Sequence, residues 1–193
     1  MKIVIIKYNA GNIHSVRLAL QREGIEPLVT DDSDQIQSAD KVIFPGVGEA
    51  STAMEYLKKK GLDKTIINLN QPFLGICLGL QLMSAYSEEN NTPCLGIFDN
   101  QIKKFPPKDK VPHMGWNTIK NLSNGLFKGI ENGSYVYFVH GYYAETSDAM
   151  IAQTEYILPF ASALQKDNYY AVQFHPEKSG RIGAHILRNF LNL

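Results

Sequence analysis

Residues 72–81 read PFLGICLGLQ, and this stretch decides the fold class. Pro72–Ile76 is an apolar run that predicts a strand, and Leu78–Tyr86 follows at once with the spacing of a helix. Cys77 lies at the junction between them. A strand that leads directly into a helix is the repeating unit of α/β proteins, so the stretch predicts a parallel sheet.

Strands and helices also alternate before this stretch, whereas the second half of the chain has a different pattern. The earlier predicted strands are Lys2–Ile6, Glu26–Val29 and Lys41–Phe44, and the predicted helices are Ile13–Gln21 and Glu49–Lys59. Later, residues 95–120 are broken by prolines and predict a meander or loops, Tyr135–Tyr143 and Ala171–Phe174 predict strands, and Arg181–Leu191 predicts a closing helix. We expect one α/β domain over residues 1–193, with helices on both faces of a mostly parallel sheet and an antiparallel addition in the C-terminal half.

The composition excludes several classes of function. Of 193 residues, 44% are hydrophobic and 20% charged, and 19 basic residues balance 19 acidic ones. Without net charge or a basic tract, the chain has no field to hold a nucleic-acid backbone, and no window approaches the roughly 20 apolar residues of a membrane span. The first apolar run is too short for a signal peptide, and two cysteines are too few for a disulfide scaffold. We therefore expect a cytoplasmic protein with neither nucleic-acid nor membrane partners.

The segment Gly75-Ile76-Cys77-Leu78-Gly79 has the form of a nucleophile elbow with sulfur in place of the serine oxygen. Glycines suit this tight turn, where a Cβ would collide with neighbouring backbone. A helix N-terminus favours the reactive thiolate of Cys77, and the unpaired N–H of Leu78 can bind an oxyanion. The alternative is that Cys77 is a small buried apolar residue. Cys94, between Pro93 and Leu95, has no such setting and is predicted to be structural.

A cysteine nucleophile needs a general acid–base partner, and the segment Gln173-Phe174-His175-Pro176-Glu177 offers one. Among the five histidines, only His175 has an acidic residue two positions later, and in an extended chain the two side chains share a face. Glu177 can then fix the tautomer of the imidazole. The pair alone could be a solvated strand end, but together with Cys77 it predicts a Cys–His–Glu triad. No spacing of histidines, cysteines or carboxylates suits a metal ion.

Two further features predict a substrate pocket. The loop Pro45-Gly46-Val47-Gly48 follows a predicted strand, and its glycines allow the N–H of Val47 to act as a second oxyanion donor. It could instead be an ordinary strand–helix turn, and it lacks the phosphate-loop pattern. Gln81 lies one helical turn after Cys77 and can hydrogen-bond a polar substrate, unless it faces solvent.

Together these residues resemble the triad-type, class I, glutamine amidotransferases, in which the elbow and the His-Pro-Glu segment recur on a flavodoxin-like sheet. Within that family the chain is similar to the glutaminase subunits of imidazole glycerol phosphate synthases. The segments that carry this narrower resemblance are Asn9-Ala10-Gly11-Asn12, the Pro-Gly-Val-Gly loop and His113-Met114-Gly115-Trp116-Asn117.

The resemblance implies hydrolysis of glutamine to glutamate and ammonia, without a cofactor or metal. Cys77 would attack the side-chain amide and form a glutamyl thioester, His175 would protonate the leaving ammonia, and Glu177 would orient His175. The N–H groups of Val47 and Leu78 would hold the oxyanion. The residues implied in glutamine binding are Gly48, Gln81, His140, Gly141 and Tyr142.

The resemblance also implies a heterodimer with a cyclase partner, which is a (β/α)₈ barrel that uses the ammonia in histidine biosynthesis. The barrel would make imidazole glycerol phosphate and aminoimidazole carboxamide ribotide. Positions matching the barrel-facing surface are Asn12, Trp116, Tyr137 and Lys178. Trp116 among polar neighbours fits an interface anchor, although a core tryptophan is the alternative. In this family the free glutaminase has very low activity until the ligand-loaded partner reorganises the loop that supplies an oxyanion donor. Here that oxyanion loop would be Pro45-Gly46-Val47-Gly48, and Gly46 and Gly48 would permit one of its peptides to flip.

One departure and three alternatives accompany the resemblance. Lys7 replaces the acidic residue that is usual after the first strand, which puts local contacts in doubt and not the chemistry. The chain could instead serve another synthase, such as the pyridoxal phosphate one, whose corresponding loop is Gly-Gly-Glu-Ser. It could also be a stand-alone cysteine hydrolase, or a degenerate protein that only binds a partner.

Overall fold

The computed structural model describes residues 1–9 and 11–193, so Ala10 of the predicted Asn9–Asn12 motif lies outside the described residues. The strands are β1 Ile3–Ile6, β2 Leu28–Thr30, β3 Lys41–Gly46, β4 Phe73–Cys77, β5 Tyr86–Ser87, β6 Thr92–Pro93, β7 Gln101–Lys104, β8 His113–Ile119, β9 Ser134–His140, β10 Tyr142–Ala144, β11 Met150–Tyr156, β12 Leu158–Lys166 and β13 Tyr169–Val172. The helices are α1 Ile13–Arg22, α2 Ser33–Gln37, α3 Ala50–Lys60, α4 Leu62–Ile67, α5 Leu78–Met83 and α6 Gly180–Leu191.

The described strands form one large mixed sheet and one hairpin. The large sheet has the order β2-β1-β3-β4-β13-β12-β10-β7-β5-β6, with β11 paired to β12. Its first five strands are parallel, and β13, β12, β10 and β7 then pair antiparallel. Strands β8 and β9 form a separate antiparallel hairpin in which His113 lies opposite His140. The prediction of a parallel sheet with an antiparallel addition is confirmed.

The central parallel strands β1, β3 and β4 are apolar apart from Lys41, because helices cover both faces of the sheet. Every residue of β1, β3 and β4 is buried. Side chains of α2, α3, α4 and α5 pack in the core on one face. Side chains of α1 and α6 pack on the other, together with the β8–β9 hairpin. This arrangement brings the loops after β1, β3, β4 and β13 to one edge of the sheet, where open α/β folds place their sites.

Several predicted boundaries were wrong. The helix predicted over Leu78–Tyr86 ends at Met83, and Tyr86 begins strand β5. The strand predicted over Tyr135–Tyr143 is two strands that Gly141 separates, and the first lies in the hairpin while the second lies in the large sheet. The β11–β12 hairpin and the short helices α2 and α4 were not predicted, because their sequences carry only weak periodicity.

Candidate active site

Cys77 lies at a strained turn between β4 and α5. Its backbone has φ 56° and ψ −106°, a conformation that is costly for a residue with a Cβ. The two flanking glycines lie in close packing. A Cβ on Gly79 would come well within 3.0 Å of the Phe44 carbonyl oxygen, which is backbone and cannot give way. A Cβ on Gly75 would displace the Met83 side chain and lie 3.0 Å from the backbone carbon of Gly79. The turn therefore holds the thiol at the sheet edge and leaves the N–H of Leu78 at the start of a helix.

His175 and Glu177 form a buried pair. Nδ1 of His175 lies 2.8 Å from Oε1 of Glu177, and their side chains are 1% and 0% exposed. The predicted reason for this contact was wrong, because Pro176–Lys178 is a 3₁₀ turn and not an extended strand end. Ser179 fixes this turn, since its Oγ donates to the His175 carbonyl at 2.6 Å and accepts from the Tyr137 N–H at 2.9 Å.

The charge state of His175 follows from its neighbours. Burial lowers the pKa of the imidazole, but hydrogen bonds and charges from Cys77 and Glu177 outweigh this effect and raise the pKa to about 10. Since Glu177 takes Nδ1, the other ring nitrogen is left for Cys77. The arrangement is therefore an imidazolium between a thiol sulfur and a carboxylate, which is suited to nucleophilic catalysis with acid–base assistance.

Asn12 reaches this pair as well. Its amide donates to Oε1 of Glu177 and lies 3.4 Å from Nδ1 of His175. Its backbone is left-handed, with φ 73°, so that the loop after β1 can turn its side chain inward. Asn12 was predicted on the partner-facing surface, and the structure shows a half-buried residue that contacts Glu177 and His175.

A cavity of about 260 Å³ opens above the thiol. Its lining residues are Val47, Gly48, Cys77, Leu78, Gln81, Glu89, Pro112, Val139, His140, Gly141 and Tyr142. The structure thus brings together the predicted nucleophile, oxyanion loop and substrate-binding residues. A larger cavity of about 360 Å³ between α1 and α6 borders Glu177 but not Cys77, so the smaller one is the candidate active site.

Gln81 and Glu89 supply polar groups to this cavity. The Gln81 amide nitrogen donates to the Gln173 side chain at 3.1 Å and to the Tyr142 carbonyl at 3.3 Å, so Gln81 is buried and does not face solvent. Glu89 was missed from the sequence because it lies in no local motif. Its Oε2 accepts from the Ala50 N–H at 2.7 Å, and burial raises the pKa of its carboxyl.

Comparisons with known proteins agree with this geometry. Residues 4–193 match the family model described as "Glutamine amidotransferase class-I". A relative from Bacteroides fragilis named "Imidazole glycerol phosphate synthase subunit HisH" is 58% identical over 100% of both chains. The protein of the same name from Escherichia coli K12 is 46% identical, again over 100% of both. The chain belongs to the class-I glutamine amidotransferases, in the HisH group.

Solved structures show the same fold at low sequence identity. One is described as "Crystal structure of glutamine amidotransferase", with a TM-score of 0.77, 18% identity, and coverage of 98% of this chain and 97% of the other. Another, described as a glutamine amidotransferase from Thermotoga maritima, has a TM-score of 0.66, 16% identity, and coverage of 100% of this chain and 83% of the other. The fold is therefore that of the amidotransferase family.

One wall of this amidotransferase's cavity contains a pair of buried histidines, of which His140 lines the cavity, and sequence analysis did not identify them as a pair. Nδ1 of His140 donates to the Tyr142 carbonyl at 2.7 Å, so its Nε2 accepts from Nδ1 of His113 at 3.0 Å. Burial lowers the pKa of His113 to about 4 and that of His140 to about 3. Both rings are thus neutral near pH 7. Because the His140 side chain is fully engaged, its backbone remains as the group available to a ligand.

The β8–β9 hairpin of this amidotransferase exposes an aromatic and apolar patch. Met114 is 60%, Trp116 55% and Tyr135 60% exposed. The ring of Tyr137 packs edge-on against Trp116 with centroids 5.9 Å apart. The alternative of a core tryptophan is therefore excluded. Lys178 and Lys7 are also exposed.

Cys94 lies away from this site and is a half-buried thiol. Its Sγ donates to the Thr92 carbonyl at 3.5 Å, and burial raises its pKa to about 12, which supports the structural role. No group of His, Cys, Asp and Glu in the described residues could hold a metal ion. No described helix is long and apolar enough to cross a membrane.

Proposed function

We propose that this chain, as one glutaminase domain over residues 1–193, hydrolyses glutamine to glutamate and ammonia. We further propose that a cyclase barrel receives the ammonia to make imidazole glycerol phosphate in histidine biosynthesis, in the cytoplasm. The observation that carries the proposal is the buried chain of groups from Cys77, which lines a cavity, through His175 to Glu177. The names of the HisH relatives support the choice of synthase.

The proposed reaction uses two acyl-transfer steps. The thiolate of Cys77 forms a bond to the side-chain carbonyl carbon of glutamine, and the C–N bond then breaks as the His175 imidazolium gives its proton to the departing nitrogen. This leaves a glutamyl thioester and free ammonia. Neutral His175 then takes a proton from a water molecule, whose oxygen displaces the sulfur to give glutamate. Glu177 stabilises the imidazolium in the steps where it is present and keeps the ring oriented in both charge states.

The cavity supports this substrate. Val47 and Leu78 line the cavity together with Cys77, and their N–H groups are proposed to hold the oxyanion. Glu89 is the only acid among the described residues that line the cavity, so we assign it to the α-ammonium group of glutamine. The remaining proposed glutamine contacts are Gly48, Gln81 and the backbone of His140, Gly141 and Tyr142.

The partner is proposed to dock on the exposed patch of the β8–β9 hairpin. Trp116 and Tyr137 are large, partly exposed aromatic residues of the kind enriched at interface hot spots. Exposed Lys178 follows Glu177 directly in the chain, so a surface that includes it lies beside the triad. Asn12 remains a proposed interface residue on its exposed side.

The deciding experiment measures ammonia release from glutamine with and without the cyclase subunit loaded with a ribonucleotide ligand. The wild type, Cys77→Ala and the matched control Cys94→Ala are compared. We expect activity with the loaded partner, its loss in Cys77→Ala, and full activity in Cys94→Ala. Strong activity without a partner would instead indicate a free-standing hydrolase. No release with the loaded partner would contradict the proposal.

A further inference from the structure

The Tyr8 hydroxyl is a buried polar group without a hydrogen-bond partner among the described residues. The residue is 5% exposed and follows β1 at the sheet edge that carries the site. Its ring is held in place by Phe44, with ring centroids 5.0 Å apart. An unpaired buried hydroxyl destabilises a fold, so one held this firmly requires an explanation.

The position of the hydroxyl connects it to the oxyanion loop. A Cβ on Gly46 would come well within 3.0 Å of Tyr8 Oη and would lie 3.1 Å from Leu78 Cβ. The hydroxyl therefore occupies the space that a side chain at position 46 would fill. This space adjoins the Gly46–Val47 peptide and Leu78, the two sources of the proposed oxyanion donors.

The hydroxyl is also a permanent donor. Burial, and after it the charge of Cys77, raise the pKa of Tyr8 well above its usual value. Tyr8 thus stays protonated throughout the pH range in which an enzyme works. What it lacks is an acceptor.

We propose that Tyr8 is a positioning residue that donates a hydrogen bond to the Gly46 carbonyl when the Gly46–Val47 peptide turns to direct the Val47 N–H at the oxyanion. The N–H and C=O of a trans peptide point in opposite directions. Directing the N–H towards Cys77 therefore reorients the Gly46 carbonyl as well, and the unpaired hydroxyl beside Gly46 is the donor that we assign to it. The inference rests on the proposed glutaminase function.

The test compares Tyr8→Phe with the wild type in the complex with the loaded cyclase subunit. We expect kcat for ammonia release to fall about tenfold, as for the loss of one hydrogen bond, while KM for glutamine is unchanged. The midpoint of thermal unfolding stays the same or rises, because the variant removes an unpaired buried group and keeps the ring.

Tyr169→Phe is the matched control. The Tyr169 hydroxyl is also buried but donates to the Ile66 and Leu69 carbonyls at 2.7 and 3.1 Å, at the start of β13 and away from the cavity. We expect this control to lower the unfolding midpoint and leave kcat unchanged. Opposite effects of the two variants on stability and kcat separate a positioning role from a structural one.

Three results would overturn the inference. An unchanged kcat in Tyr8→Phe, beside an active wild type, would refute the role of Tyr8 and leave the glutaminase function intact. A different rate of Cys77 alkylation by iodoacetamide in Tyr8→Phe than in the wild type would show that the Tyr8 hydroxyl acts on the sulfur and not on the Gly46–Val47 peptide. An inactive wild type would refute the function and this inference together.

Discussion

Nδ1 of His175 lies 2.8 Å from Oε1 of Glu177, and the 3₁₀ turn at Pro176 brings the two side chains together. Both are buried, so the carboxylate acts on the imidazole with little screening by water. The contact sets which nitrogen faces Cys77 and holds the charged form of the ring. The pKa of His175, raised to about 10, includes this contribution from Glu177.

Removal of the charge on Glu177 is expected to lower the rate of ammonia release and to restrict activity to lower pH. In Glu177→Gln the pKa of His175 falls, so the imidazolium loses its proton at lower pH and can no longer protonate the nitrogen that leaves as ammonia. We expect kcat to fall by about 10²- to 10⁴-fold, and the alkaline limb of kcat/KM to move to lower pH. The measurement is a pH profile of glutaminase activity in the loaded complex. Glu131→Gln, an exposed control, should match the wild type, and an unshifted alkaline limb in Glu177→Gln would contradict the role of the carboxylate.

The turn that carries Glu177 depends on a close approach by α6. A Cβ on Gly183 would come well within 3.0 Å of the Pro176 carbonyl oxygen, which cannot move without displacing the turn. Gly183→Ala should therefore lower the free energy of unfolding by about 2–3 kcal/mol and also reduce activity. Urea denaturation measures the first effect. Gly141→Ala is the control for stability, because its Cβ would meet Val111 at an ordinary 3.8 Å. Equal losses of unfolding free energy in the two variants would refute the steric argument.

The buried histidine pair predicts acid sensitivity of the fold. The pKa values of His113 and His140 lie below the usual 6.5, so the unfolded chain binds protons between pH 6.5 and about 4 that the folded chain does not. The contribution to stability is complete above pH 6.5 and is lost as pH falls. Between pH 6.5 and 5 the free energy of unfolding should drop by about 1.6 kcal/mol through each ring, since both stay neutral in the folded chain over this range.

Urea denaturation at pH 7.5, 6.5 and 5 checks this prediction. His113→Asn should reduce the dependence on pH, since it removes one of the two titrating rings. His14→Gln removes an exposed ring and should leave the dependence unchanged. If the free energy of unfolding depends on pH equally in the wild type and in His113→Asn, the loss of stability at low pH arises from other groups.

Much of the fold was predictable from the sequence because its signals are local. The apolar runs of β1, β3 and β4 and the glycines around Cys77 are each visible within a few consecutive residues of sequence, and the structure contains those elements. The break at Gly141 was not predictable, since β9 and β10 join different sheets only through long-range pairing. Tertiary pairing of this kind overrides local propensity.

The residues of the candidate site also divide into those that local motifs reveal and those that only the three-dimensional structure reveals. Cys77, His175 and Glu177 could be found because each lies in a short motif, and the structure brings them together. Glu89 joins the cavity only through the packing of the segment after β5 against α3, which no local pattern encodes. The Tyr8 hydroxyl is significant only beside Gly46, 38 positions later, so its role required the three-dimensional structure.

Trp116 provides the last prediction, which concerns the partner. An indole 55% exposed and packed edge-on against Tyr137 presents a rigid apolar surface that contributes little to the core. We expect Trp116→Ala to weaken binding of the cyclase subunit by about 2 kcal/mol, or roughly 30-fold in Kd, with no loss of thermal stability. Ile67→Ala is the control, because Ile67 is 46% exposed at the end of α4 and lies outside the proposed interface. Isothermal titration calorimetry with the cyclase subunit measures Kd for both variants, and equal values would place the interface elsewhere.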